Sequence, residues 1–183
     1  YAREKNLKIK LVPIAKELDE RNVALFVLPK FVNETEFLYN VEYEYNGVTV
    51  QAAFADQQFF FGKGAGGHPT GSAVLSDIAA LRYDYQYEYK KAKEKTDLNF
   101  TNNIELNIYL RYDDESLVEA LNFEHIQERY YSGSYKFVIG KINLQNLIDN
   151  QSLISESKAF IAFADQLTGV SLASGVKQTA EAL

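Results

Sequence analysis

The chain has 183 residues, 46% hydrophobic and 24% charged, with a net charge of -6. That is the composition of a soluble globular protein with room for one large domain or two small ones. The acidic balance excludes a broadly basic nucleic-acid footprint, and the absence of cysteine excludes disulfides, thiolate catalysis and cysteine–zinc sites.

His68 and His125 are the only histidines, so a histidine-rich metal centre is not expected. No apolar run reaches membrane-spanning length and no signal-peptide pattern is present, which makes the cytoplasm the default location. The chain begins at Tyr1 and contains no methionine, so the expectation is a part of a longer protein.

Residues 7–14, "LKIKLVPI", and 23–32, "VALFVLPKFV", read as strands, because both are short apolar runs rich in β-branched residues. Pro13 and Pro29 suit strand ends or edges. The charged "AKELDERN" between them reads as a solvated connection. In "VEYEYNGVTVQ", Val41, Tyr43 and Tyr45 alternate with Glu42 and Glu44. Asn46-Gly47 then supplies the two positive-φ residues of a type I′ turn, so a β-hairpin is expected around that dipeptide. A further strand near "QQFFF" leads into a glycine-rich stretch.

That stretch is "FFFGKGAGGHPTGSAV", residues 59–74. Gly62, Gly64 and Gly67 fit G-x-G-x-x-G, the spacing that cradles a pyrophosphate at a helix N-terminus. The Rossmann form requires a parallel βαβ unit of about 30 residues and an acidic residue roughly 20 positions on. Here the upstream strands belong to a hairpin, and a tyrosine-rich segment follows, so the context fails. A Walker A loop fails too, because no Lys-Ser/Thr follows the glycines. What remains is a strand-to-helix connection that leaves backbone N–H groups bare at a helix start, which suits an anionic or amide-bearing ligand supplied from elsewhere. Thr70 or Ser72 is the expected cap of that helix, with Val74, Ile78 and Leu81 on its apolar face and Ala73 beside them. Tyr83, Tyr85, Tyr87 and Tyr89 fit strand spacing and also i,i+4 helix spacing, and both readings stay open. The lysine run from Lys90 to Lys95 is hydrophilic and sets an expected border near residue 95.

The second region alternates from its start. Ile104, Leu106, Ile108 and Leu110 line one face of a strand, with Glu105, Asn107, Tyr109 and Arg111 on the other, which reads as half-buried. "DDESLVEAL" is a helix capped by Asp113 or Asp114, with Leu117 and Leu121 on its buried stripe. Two strands follow around Ser132-Gly133-Ser134. Asn143 caps a short helix bearing Leu144, Leu147 and Ile148, and "SKAFIAFA" is a closing strand. The order β-α-β-β-α-β describes a ferredoxin-like unit with an antiparallel sheet and both helices on one face. The expected class is α+β: an antiparallel or mixed sheet with helices over residues 1–95, then a ferredoxin-like domain over 96–183.

"GKGAGGHPTGSAVLS" followed by "DIAAL" resembles the homoserine dehydrogenases, whose pattern is Gly-Pro-Gly-Ala-Gly-x-x-Pro-Thr-Ala-Ser-Ala-Val and then Asp-Ile. The opening "AREKNLKIKLVPIAK" is similar to that family's strand entering the same domain. The resemblance covers roughly residues 1–82. Lys63 stands where the family has proline, Gly71 where it has alanine, and Leu28-Pro29 where it has His-Pro. The resemblance implies that residues 1–95 are the later part of a substrate-binding and dimerisation domain. It further implies that Gly62, Gly64, Ala65 and Gly66 lean against an NAD or NADP cofactor held mainly by an N-terminal nucleotide domain. The implied reaction reduces aspartate semialdehyde to L-homoserine, in threonine and methionine biosynthesis, with a homodimer or higher oligomer as the assembly. The family's catalytic motif (Gly-Tyr-Ala-Glu, then Asp-Pro, with a lysine further on) is absent here and is expected upstream of Tyr1. No catalytic residue is therefore assigned, and the segment alone is expected to be inactive.

Residues 96–183 look like an ACT domain, a regulatory module for which the resemblance implies threonine as effector. Ligand-binding versions carry Asp-x-Pro-Gly after the first strand, whereas this chain has "YDDESL", with neither proline nor glycine. A purely structural dimerising module is the competing reading. For the whole chain, the alternative to an enzyme part is a non-catalytic amino-acid-sensing or dimerisation protein. His68 reads as a solvent-facing loop residue, His125 as structural, and Asp77 as a helix carboxylate that could also contact substrate. Asp84 and Glu88, interleaved with the tyrosines, argue against base stacking on nucleic acid. No metal and no membrane partner is expected.

Overall fold

The computed structural model describes residues 1–83, 85 and 98–165. They form an α+β structure divided into two compact units, Tyr1–Lys8 with Val32–Thr96 and Ile9–Phe31 with Asp97–Leu183. The units are not contiguous in sequence, unlike the division into 1–95 and 96–183 read from the lysine run. The physical reason lies in β1 (Lys8–Glu17) and β2 (Asn22–Val32), which are hydrogen-bonded into a sheet whose other strands all follow Asp97.

The first unit contains a two-stranded antiparallel sheet, β3 (Tyr45–Ala52) and β4 (Asp56–Lys63), followed by helix α1 (Gly67–Arg82). The expected hairpin is present, but its turn is not at Asn46-Gly47. Asn46 and Gly47 lie inside β3, opposite Gly62 and Phe61, and the chain reverses between the paired residues Ala52 and Asp56. A type I′ turn needs positive φ at both central residues. Among the described residues Gly66 is the one glycine with positive φ, whereas Asp56, at φ 49°, supplies the left-handed residue that closes a three-residue loop. Gly47 serves a close approach instead: a Cβ there would stand 2.7 Å from Val41 and 2.8 Å from the Phe59 ring. Nor do Val41 and Tyr43 continue a strand, because Phe37–Asn40 is a 3-10 turn and Tyr43 sits at φ 56°.

Helix α1 also starts earlier than expected. Its N-cap is Gly66 at φ 111°, without a side-chain cap, and Thr70 and Ser72 lie inside the helix. Glycine adopts that φ without a Cβ penalty, and Pro69 in the first turn has no N–H to leave unbonded. No residue of α1 is buried; Val74, Ile78 and Leu81 are 53%, 58% and 70% exposed. The helix ends at Arg82 with Tyr83 as its C-cap. The helix-or-strand question for the tyrosines beyond Tyr85 falls outside the described residues.

In the second unit, β5 (Asn99–Phe100), β6 (Glu105–Tyr112), β7 (His125–Tyr131), β8 (Lys136–Asn143) and β9 (Phe160–Phe163) join β1 and β2 in the order β1-β2-β9-β6-β8-β7, with β5 also beside β2. β2 pairs in parallel with β5 and β9, while the pairs β6–β8, β6–β9 and β7–β8 are antiparallel, so the sheet is mixed. Pro13 lies in β1, an edge strand whose outer side needs no ladder donor. The expected β-α-β-β-α-β order runs from β6 to β9, with the helices α2 (Glu115–Leu121), α3 (Leu144–Asp149) and α4 (Gln151–Glu156). The second helix read from the sequence is α3, and α4, which the sequence reading did not include, follows it after Asn150. Asp114 caps α2 by accepting from Ser116 N at 3.0 Å, and Asn143 caps α3 by accepting from Gln145 N at 2.9 Å.

The core follows the alternation. Leu106, Ile108, Leu110 and Tyr112 of β6 pack with Val138 and Ile142 of β8 and with Leu117, Val118, Leu121, Leu144 and Leu147 from the helices. Each such burial stabilises the fold by about 1.5–3 kcal/mol. The opposite face of β6 departs from the expected solvated row, because Tyr109 is 3% exposed and Asn107 9%. Tyr109 stands edge-on to Phe31 at 5.3 Å and packs on Phe137 at 5.0 Å. Asn107 Nδ2 donates to the Ala164 carbonyl at 3.0 Å. As an interior strand between β9 and β8, β6 has aromatic neighbours on this face as well.

Candidate functional site

The glycine loop is set by the β3–β4 register. Tyr45 opposite Lys63 and Asn46 opposite Gly62 carry the hairpin up to Gly64, after which the chain turns through Ala65 and Gly66 into α1. Aromatic stacking stiffens the approach, with Tyr45 on Phe61 at 4.7 Å and Phe37 on Phe59 at 5.1 Å. Lys63 Nζ donates to Glu44 Oε1 at 2.7 Å and lies 5.1 Å from the centre of the Tyr45 ring. The Lys63 ammonium holds the Glu44 carboxyl below its ordinary value, and Glu44 in turn raises Lys63.

The structure places the predicted residues Gly62, Gly64, Ala65 and Gly66 in one exposed segment at the start of α1. A Cβ on Gly62 or Gly67 would meet no atom within 4 Å, whereas one on Gly64 would overlap the Asn46 amide. Thr70 N bonds back to Gly66 O at 3.2 Å, while the N–H groups of Gly67 and His68 precede the first intrahelical bond. The positive end of the helix dipole is therefore presented with unspent donors, the geometry that receives an anion or a carboxamide oxygen. His68 is exposed in the first turn of α1, and Asp77 lies exposed farther along it. Sequence reasoning missed Glu44 and Asn46, because the turn assigned to Asn46-Gly47 placed them away from the loop. The signal that could have found them is the opposite charge of Glu44 and Lys63 on facing strands of one hairpin.

In the second unit, "YDDESL" borders an open groove of about 250 Å3 lined by Asp113, Asp114, Ser116, Leu117, Leu153, Glu156, Ser157 and Lys158. Behind it the Tyr112 hydroxyl donates to Glu115 Oε1 at 3.1 Å, and Arg129 Nη1 lies 3.6 Å from Glu115 Oε2. Burial, and then the Tyr131 hydroxyl, push the Tyr112 phenol well above its ordinary pKa, so it stays neutral and donating. His125 starts β7, its carbonyl against Gly140. Among the described residues no cluster of histidine and carboxylate side chains could hold a metal, and no helix is long and apolar enough to cross a membrane.

Residues 1–79 match the family model described as homoserine dehydrogenase. A homoserine dehydrogenase of Neisseria gonorrhoeae is 36% identical over 78 residues, which is 43% of this chain and 18% of that protein. One from Helicobacter pylori is 36% identical over 81 residues, 44% of this chain and 19% of the relative. Among solved structures, a homoserine dehydrogenase from Thiobacillus denitrificans superposes with a TM-score of 0.61 at 19% identity, over 91% of this chain and 44% of that one. The S. aureus enzyme at pH 6.5 gives a TM-score of 0.53 at 22% identity, over 90% and 42% of the two chains. The fold is thus that of part of these structures, and the chain spans less than half of their length.

Proposed function

We propose, for a chain whose first 79 residues carry a homoserine dehydrogenase segment, that it is the C-terminal part of an NAD(P)-dependent homoserine dehydrogenase. In this reading the parent reduces aspartate semialdehyde to L-homoserine. The observation that carries it is the exposed loop Gly62–Gly66, with open space at Gly62 and Gly67 and free N–H groups at the start of α1, inside the segment that matches the family.

The bound nicotinamide would supply the hydride that goes to the aldehyde carbon. This chain's own contribution is to binding and orientation. The loop offers backbone donors at the start of α1, and the Glu44–Lys63 pair fixes the strand ends that carry it. The catalytic acids and the proton-transferring lysine belong to the upstream part of the substrate domain. The exposed apolar positions of α1 fit the same reading, as a helix that packs against the remainder of its own domain. The unit from β6 to β9 is assigned as an ACT-like module that supports a dimer.

Turnover of NAD(P)H by the purified full-length protein with aspartate semialdehyde tests this assignment. Consumption of both substrates with formation of homoserine supports it; absence of turnover with either cofactor overturns it.

A further inference from the structure

The Asn46-Gly47 signature is not spent on a turn. Both residues lie within β3, and the Asn46 side chain reaches the glycine loop: a Cβ on Gly64 would overlap Asn46 Nδ2 and lie 3.3 Å from Asn46 Cγ. Asn46 faces Gly62, two residues before Gly64, so a short amide on this strand is what spans to the loop. Gly47 beside it leaves room for the Phe59 ring, which stacks on Phe37 and Phe61 and anchors the hairpin.

We infer that Asn46 is a positioning residue for the Gly62–Gly66 loop, its carboxamide occupying the notch left by the missing side chain of Gly64. Asn46 acts by restricting the loop to the conformation that enters α1 through Gly66 at φ 111°. A preorganised loop loses less conformational freedom when a ligand binds, so removal of the brace weakens binding without changing chemistry. The effect on cofactor rests on the dehydrogenase reading; the brace itself rests on geometry alone.

The test uses Asn46→Ala, Gly64→Ala and the double variant in the full-length protein. Gly64 does not sit in the left-handed region, so alanine is tolerated by the backbone there, and its methyl displaces the Asn46 amide. The expected result for Asn46→Ala is a KM for the nicotinamide cofactor raised about three- to tenfold, the scale of coupling between contacting residues, with kcat unchanged. Gly64→Ala gives the same rise, and the double variant no more than either, because all three lose one contact. Amide exchange at Gly64, Ala65 and Gly66 quickens in each. Additive effects, or an Asn46→Ala variant with unchanged KM and unchanged exchange, overturn the proposal. If the wild-type protein turns over no nicotinamide cofactor, the dehydrogenase reading fails, and the exchange measurement still decides the brace.

Discussion

Lys63 Nζ lies 2.7 Å from Glu44 Oε1, and this ion pair closes the open end of the β3–β4 hairpin immediately before the glycine loop. Each partner is about half exposed, at 45% for both side chains, so the pair is screened by salt and ties strand ends more than it stabilises the fold.

The pair predicts a titration. The Lys63 hydrogen bond lowers Glu44 from its ordinary 4.5. A carboxyl depressed in the folded state contributes stability above its unfolded pKa and loses it as pH falls through the folded value. Lys63 is raised from 10.5, so its share is present below that value and lost as pH rises through the folded pKa. The pair is thus intact throughout the neutral range. Carbon-detected NMR should place the Glu44 midpoint below 4.5, and Lys63→Ala should return it toward 4.5. A Glu44 midpoint that ignores the substitution would show that the pair does not persist in solution.

Glycines in and around the loop should separate by cause. Gly71 lies within α1, where a Cβ would meet nothing within 4 Å, so Gly71→Ala is expected to stabilise by about 0.4–1 kcal/mol. Gly66, at φ 111°, is expected to lose about 1–3 kcal/mol as alanine, through strain at the cap. Gly47→Ala, with Val41 and the Phe59 ring under 3.0 Å from the new carbon, should cost about 1–3 kcal/mol by overpacking. Urea unfolding of the three variants measures all of this; equal effects at Gly71 and Gly66 would contradict the assignment of Gly66 as the helix cap.

The Asn-Gly pair shows where local reading ran out. The strands at β1, β2, β4, β6 and β9 were legible from apolar runs and alternation, which are local signals. The turn was not, because Asn46-Gly47 is set by Phe59 and Gly64, whose positions depend on the pairing register rather than on neighbours in sequence. The same limit applies to α1. Thr70 and Ser72 carry the side-chain signal for a cap, whereas the cap itself is Gly66, which bonds through no side chain and is set by a φ that sequence does not reveal.

Tyr109 extends this point into a prediction about stability. Alternation assigns Tyr109 and Arg111 to one solvated face, yet Tyr109 is 3% exposed among Phe31, Phe137 and Phe160, while Arg111 is exposed. Tyr109→Ala should cost about 3–5 kcal/mol, as for other large core aromatics. Arg111→Ala should stay within about 0.5 kcal/mol. Chemical denaturation of both variants decides it, and comparable small losses would mean that the aromatic layer is not formed.

The groove beside α2 carries the last prediction. An amino-acid effector needs N–H donors for its carboxylate, and glycine, with no side chain, is the residue that lets a ligand approach the backbone closely. "YDDESL" contains no glycine. Its Asp114 carboxylate already accepts from Ser116 N, so one N–H of the α2 start is spent on the chain's own cap. The groove lining adds Asp113 and Glu156 against the single ammonium of Lys158, which leaves a negative field where an effector carboxylate would have to sit. Threonine should therefore give no calorimetric signal at micromolar concentration with the full-length protein, and should leave its turnover unchanged. A clear binding heat that vanishes in Lys158→Ala would reverse this reading and make the groove an effector site.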